Sequence, residues 1–390
     1  MTRVAHVDAT HRLATLAVHA GTEPDPLAGA VMPPIYQTST YVQDALGTPH
    51  AGFEYARTRN PTREVLERNL AALEGGTHGF AFGSGLAALD TVLKLLNTGD
   101  HVVVGNNIYG GSHRLMERVY QRLGIEFTFV DMRDITKVEA AVRKTTRVLY
   151  CETPTNPMMF LADLRALGDL TQALGILFVV DNTFATPVLQ QPLQHGADIV
   201  LHSTTKYLNG HSDMVGGALI TTRDDLAERI GFLQNAAGGV PGPFDCWLAV
   251  RGIKTLPLRM KAHCASAMHL ATWLHGRKDV PKVYYPGLPD HPQFELARRQ
   301  MNDFGGMISI ELGDVARAKR MVEATRIFAL AESLGGVESL IGHPASMTHA
   351  SVPKAMRDAM GLTDSLVRLS VGIEDVDDLM QDIDQALAAK

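Results

Sequence analysis

From residue 79 to residue 221, short runs of β-branched and aromatic residues alternate with stretches whose apolar positions recur every three or four residues. The runs are Gly79–Phe82, His101–Val104, Glu126–Asp131, Val148–Cys151, Leu177–Asp181, Ile199–His202 and Ala218–Thr221. Leu86–Leu96, Ser112–Leu123, Ile135–Val142 and Leu164–Ala173 carry the helical period between them. Strands alternating with helices predict an α/β domain with a doubly wound, mostly parallel sheet of seven strands. The last two runs are joined by a loop instead of a helix. Past residue 245 the pattern changes. A long helical stretch, Cys246–Leu274, precedes runs at Lys282–Tyr285, Gly306–Leu312 and Val367–Val371 and an amphipathic end, Val376–Ala389. This predicts a smaller α+β domain. Before residue 60, Pro24, Pro26, Gly29, Pro33, Pro34, Gly47, Pro49 and Gly52 break any period, so the segment reads as an extended arm. A long arm needs a surface to lie on, and a neighbouring subunit offers one. A helix at Thr62–Glu74, stopped by Gly75-Gly76, follows the arm. The expected organisation is therefore an arm (1–60), a large domain (61–245) and a C-terminal domain (246–390).

Composition narrows the class of protein. The 390 residues are 45% hydrophobic and 20% charged, ordinary for a globular chain, and the formal net charge of −6 offers no basic footprint for nucleic acid or an anionic membrane. Arg3, His6, Asp8, His11 and Arg12 interrupt the first twenty residues, which argues against a secretory signal and for the cytoplasm. Three scattered cysteines make neither a disulfide framework nor a metal knuckle, and the 16 histidines form no His-Glu-x-x-His spacing, so no metal is expected.

The candidate chemistry lies at strand ends. Lys206 follows the run Ile199–His202 and the hydroxyl residues Ser203, Thr204 and Thr205. A lysine there, partly desolvated, can act as an amine nucleophile, though an ordinary solvated loop lysine fits the same position. Phe82-Gly83-Ser84-Gly85-Leu86 leads from a strand into a helix, whose first N–H groups favour a phosphate; a tight strand-to-helix turn explains it equally well. Asp181 ends the most apolar run, where a carboxylate needs a cationic or N–H partner. Tyr109 follows another strand, where its ring could stack on a flat cofactor. Glu152 to Pro157 ends a third, in a segment held by two prolines.

These segments, with Tyr55-Ala56-Arg57 in Tyr-Ala-Arg-x-x-Asn-Pro-Thr and Glu332-Ser333-Leu334-Gly335-Gly336-Val337-Glu338-Ser339-Leu340, resemble the Cys/Met metabolism family of pyridoxal-phosphate enzymes. The resemblance runs from about residue 13 to the C-terminus, in the family's order and spacing. It implies an aminotransferase-like fold (fold type I) and a homotetramer, a dimer of dimers with shared active sites. Lys206 would hold the cofactor covalently, Asp181 would pair with its pyridine nitrogen, and Tyr109 would stack on its ring. Gly85, Leu86, Ser203 and Thr205 would bind the phosphate, joined by Tyr55 and Arg57 from the neighbouring subunit, and Thr183 would support the ring. Asn156, Ser333 and Arg368 would hold the substrate α-carboxylate. Ala56 and Leu86 stand where the family commonly has Ser and Met; neither change removes a charged or catalytic group.

The resemblance also implies a substrate class. The expected reaction is γ-elimination of L-cystathionine to L-cysteine, 2-oxobutyrate and ammonia. The alternative is γ-replacement on an O-acylhomoserine by cysteine, followed by β-elimination of cystathionine or γ-elimination of methionine. In similar enzymes a glutamate at the position of Glu338 goes with chemistry at Cγ, and here it would meet the distal ammonium of a long substrate. A surface glutamate opening a short helix is the competing reading.

Overall fold

The computed structural model describes residues 7, 10–350, 352 and 354–389; the first part of the expected arm, residues 1–6, 8 and 9, lies outside them. In chain order the strands are β1 (Gln43–Ala45), β2 (Thr48–Pro49), β3 (His78–Phe82), β4 (His101–Gly105), β5 (Glu126–Val130), β6 (Thr146–Glu152), β7 (Leu177–Asp181), β8 (Ile199–His202), β9 (Gly217–Thr221), β10 (Lys282–Tyr284), β11 (Met307–Glu311), β12 (Ala329–Leu330), β13 (Leu340–Gly342) and β14 (Leu366–Ser370). The chain divides into two compact units, each made of two separate stretches: residues 1–96 with 198–257, and 97–197 with 258–390.

Of the seven strands of the larger sheet, the first unit holds three, in the order β3-β9-β8. Here β9 runs antiparallel to both neighbours, His78 opposite Thr221 and Val200 opposite Ile220. The helix Pro61–Glu74 begins because the Asn60 side chain accepts the Thr62 and Arg63 N–H groups and proline occupies the first turn. Gly75, at φ 72°, ends it in the left-handed conformation. The arm contains an element the pattern did not predict, the helix Leu13–His19, only seven residues long. Asn69 fastens it by donating to the Leu16 and Ala20 carbonyls. Two turns are too short for a period to stand out from its surroundings.

The second unit holds β7-β6-β4-β5, all parallel. Their runs are almost wholly apolar because parallel strands are covered on both faces: Val103, Leu149, Cys151, Phe178 and Val180 pack on Leu164 and Leu167 of the helix Leu164–Leu174. Each such side chain contributes roughly 1.5–3 kcal/mol of burial. The expected helix at Ser112–Leu123 is instead an α-helix at Gly110–Leu115, a π-turn at Met116–Tyr120 and a 3₁₀ turn at Gln121–Leu123, closed by left-handed Gly124. The long helical stretch expected at Cys246–Leu274 is made of two helices, Pro243–Ile253 and Leu256–His275. Pro257 accounts for the break, since proline suits a first turn and not an interior.

The smaller sheet follows the order β10-β11-β14-β13-β12, antiparallel except for β12 with β13. Leu270, Leu274, Ile308, Ile310, Leu369, Leu379 and Ile383 form its core. Buried Asp382, on the helix Val376–Leu387, accepts the N–H groups of Arg326, Ile327 and Phe328 at 2.7, 2.8 and 2.9 Å. Asp382→Ala orphans these donors and is expected to cost about 3 kcal/mol. The check is a lower urea midpoint at unchanged slope; a loss under about 0.5 kcal/mol would mean that water replaces the carboxylate there.

Candidate active site

In the first unit the segment after β8 turns at once: the Lys206 N–H bonds the Ser203 carbonyl and the Lys206 carbonyl accepts from Gly210. Lys206, Ser203 and Thr205 are half-buried. Beneath them His202 is buried against Glu74, Nε2 to Oε1 2.5 Å, which ties the root of the loop to the end of the helix Pro61–Glu74. The nine-residue helix Gly85–Leu93 abuts the same loop. Ser84 caps it by accepting the Ala87 N–H, and a Cβ placed on Gly85 would stand 3.0 Å from the Ser203 Cβ. Glycine therefore lets the helix N-terminus and the Ser203 hydroxyl converge. First-turn N–H groups beside a hydroxyl suit a phosphate. Thr205 has its hydroxyl between the Gly216 N–H and carbonyl, at 3.0 and 3.2 Å.

Tyr55 and Arg57 line a cavity of about 300 Å³ together with Gln37, Asn60, Arg63 and Val240. The Arg57 guanidinium donates to the carbonyl and Oδ1 of Asn235 and stands 5.5 Å from the centre of the Tyr55 ring.

The second unit carries the other candidates. At the ends of the paired strands β6 and β7, Glu152 and Asp181 stand opposite each other in register. Asp181 accepts the Thr183 N–H at 3.0 Å and the Tyr150 hydroxyl at 3.3 Å. Glu152 accepts the Tyr109 N–H at 2.7 Å. Burial first, then the Asp181 charge, push the Glu152 carboxyl well above the usual carboxylate range, against the pull of that N–H. The Tyr109 ring is 41% exposed although its N–H is held inside.

Arg368, on β14, is 4% exposed. It donates to Asn156 Oδ1 at 3.1 Å and to the Ser333 carbonyl at 2.7 Å, so the three residues expected to share a task are together. Ser333 has φ 107°, a conformation that residues other than glycine rarely hold. Glu338 lies on the same loop, which is not helical, and folds back so that a Cβ on Gly336 would meet its Oε1 at 2.5 Å.

Three groups escaped the reading of the sequence as site residues. Glu152 was noticed only as part of a strand-end motif, although lining it up with Asp181 would have found it. Tyr150 points at Asp181 from inside β6. Buried His349, its Nδ1 2.9 Å from the Thr348 hydroxyl, sits beside Arg368 and within reach of the Asn156 and Ile108 carbonyls. Nothing in sequence spacing marks it.

Burial lowers His349 to about 4, helped by the Arg368 charge, and burial likewise lowers His263 to about 4. A depressed histidine leaves the unfolded chain binding more protons between pH 6.5 and 4, so these two residues weaken the fold as pH falls through that window. Their joint slope is at most about 2.7 kcal/mol per pH unit. Urea midpoints at pH 7, 6 and 5 should fall in that order, and His263→Gln should flatten the trend; an unchanged trend would remove His263 from it. Raised acids such as Glu152 act in the opposite sense.

Among the described residues, no group of His, Cys, Asp and Glu side chains could hold a metal ion, and no helix is long and apolar enough to cross a membrane.

An α/β chain with a lysine after a strand, a phosphate-sized helix terminus and a hydrogen-bonded strand-end carboxylate has the parts of a pyridoxal-phosphate enzyme. The sequence profile of the Cys/Met metabolism PLP-dependent enzymes matches residues 14–388, and the chain belongs to that family. It is 53% identical to a cystathionine beta-lyase of Coxiella burnetii, over 98% of both chains. It is 52% identical to a cystathionine gamma-synthase of Mycobacterium bovis, over 96% of both. The solved cystathionine gamma-lyase from Lactobacillus plantarum, complexed with L-serine, superposes with a TM-score of 0.95 at 47% identity, over 97% of this chain and 99% of that one. The fold and the cofactor, pyridoxal 5'-phosphate, follow from this membership.

Proposed function

We propose that this enzyme catalyses γ-elimination of L-cystathionine to L-cysteine, 2-oxobutyrate and ammonia, in the cytoplasm, as a homotetramer. The observation that carries the reading is the buried Arg368–Asn156–Ser333 clamp with Glu338 on the same loop, a carboxylate for a second ammonium. In this reading Lys206 holds the cofactor, and Gly85, Leu86, Ser203 and Thr205 bind its phosphate. Asp181 faces its ring nitrogen, with Tyr109 and Thr183 against the ring. Bound pyridoxal phosphate supplies an electron sink for charge developing at the substrate α-carbon. Arg368 and Asn156 orient the α-carboxylate. The Lys206 amine takes the proton from Cα, and its half-buried position keeps part of its hydration away. The arm residues Tyr55 and Arg57 serve the neighbouring subunit's phosphate site; within one chain, the Asn235 carbonyl and Oδ1 accept from the Arg57 guanidinium.

A second reading, γ-replacement on an O-acylhomoserine by cysteine, is favoured by the 52% identity to the Mycobacterium bovis synthase. Product analysis decides. Cystathionine alone should give 2-oxobutyrate and cysteine. Pyruvate with homocysteine would establish a β-lyase, and cystathionine formed from cysteine with O-succinyl- or O-acetylhomoserine would establish the synthase.

Glu338→Ala is expected to lower kcat/KM for cystathionine about tenfold or more, and to change that of a short substrate without a distal ammonium less than threefold. Equal losses on the two substrates would make Glu338 a support for the Gly336 turn.

A further inference from the structure

We infer that Glu152 is a positioning residue that sets the Tyr109 ring by gripping its backbone N–H. The inference rests on the reading of Tyr109 as the residue that stacks on the cofactor. Tyr109 begins the short helix Gly110–Leu115 without a side-chain cap of its own, so something else must define where its backbone stands. The Glu152 carboxyl does so at 2.7 Å, from the end of a strand buried from Val148 to Cys151. Behind the ring, Gly111 leaves the space it needs: a Cβ there would meet the Tyr109 Cε1 at 2.3 Å. On its other side Gly110 lies under the Thr348 carbonyl, where a Cβ would meet that oxygen at 2.4 Å. The ring is exposed while its root is clamped, as a stacking platform requires.

The same strand makes a second link. Ser112, three residues after Tyr109, donates to the Tyr150 hydroxyl, which donates to Asp181. Glu152 and Tyr150, two residues apart and so on one face of β6, thus tie the helix that begins after Tyr109 to the strand that ends in Asp181. Buried Glu152 and half-buried Asp181 stand in register at the ends of β6 and β7. Burial, and then the Asp181 charge, raise the Glu152 carboxyl well above the usual carboxylate range, while one of its oxygens accepts the Tyr109 N–H.

The test is equilibrium binding of pyridoxal phosphate to the cofactor-free protein, read by quenching of intrinsic fluorescence, alongside the melting temperature of that protein. Glu152→Leu, which removes the acceptor, should raise the cofactor Kd about tenfold, and Glu152→Gln, which keeps a neutral oxygen in place, should stay within about threefold. On a Tyr109→Ala background, Glu152→Leu should add less than twofold. If Glu152→Leu does not fold, Glu152→Asp carries the test, since its withdrawn acceptor should raise the Kd at least threefold. An unchanged Kd in Glu152→Leu overturns the inference, as does a Gln variant as damaged as the Leu one. So does a full loss on the Tyr109→Ala background while Tyr109→Ala alone weakens binding, which would leave the stacking assignment intact. If Tyr109→Ala leaves cofactor affinity unchanged, the stacking assignment falls and the inference falls with it.

Discussion

Lys206→Ala is expected to lower kcat/KM by at least about a thousandfold while leaving the chain folded and able to bind pyridoxal phosphate. The amine has two tasks in the proposed function, attaching the cofactor and carrying the Cα proton, and a positioned acid–base group alone accounts for about 10²–10⁴ in rate. Folding should survive because the turn after β8 is held by main-chain bonds at Ser203 and Gly210 and by the buried His202–Glu74 pair, none of which uses the lysine amine. Borohydride reduction of the wild type followed by peptide mapping should leave the cofactor on Lys206, and the variant should release it on denaturation. A label on any other lysine would remove Lys206 from the site.

Arg368→Ala should cost about 3–4 kcal/mol in kcat/KM, a loss of two to three orders of magnitude carried mainly by KM. The guanidinium is buried on a central strand of the smaller sheet, where it donates to Asn156 Oδ1 and the Ser333 carbonyl, and a substrate carboxylate held there would gain a charge-assisted bond. Truncation removes that charge and also frees Ser333 from the bond that accompanies its φ of 107°. Arg368→Lys keeps the charge but not the planar fork and should lose at least about tenfold. Steady-state kinetics with cystathionine measures both. A fall confined to kcat would point away from carboxylate binding.

Most of the architecture was legible because the physics behind it is repetitive. Leu177–Asp181 and Ile199–His202 coincide with the observed strands, since a fully buried parallel or central strand must be apolar along its whole length. The errors fall where tertiary bonds outweigh pattern. Leu13–His19 is held by side chains from far along the sequence, Asn69 and Lys254. β12 and β13 have two and three residues, too few for any period. Glu338 sits in a loop, where helix-dipole reasoning had no helix to act on. For the candidate site, strand ends point to Lys206, Asp181 and Tyr109, but long-range partners such as Glu152 for Tyr109 and Asn235 for Arg57 become visible only when the fold sets distant segments side by side.

The first unit is assembled from two stretches that the whole of residues 97–197 separates. On the ribosome β3 emerges long before β9, the strand it pairs with from His78 to Phe82. The nascent chain must therefore carry the Gly85–Leu93 helix and the turn before it without β8 and β9 until the Ser203 loop arrives to close against it. Loop closure over that distance is slow compared with local structure, so the half-made unit is the state in which this chain is most open to chaperones, proteases and aggregation.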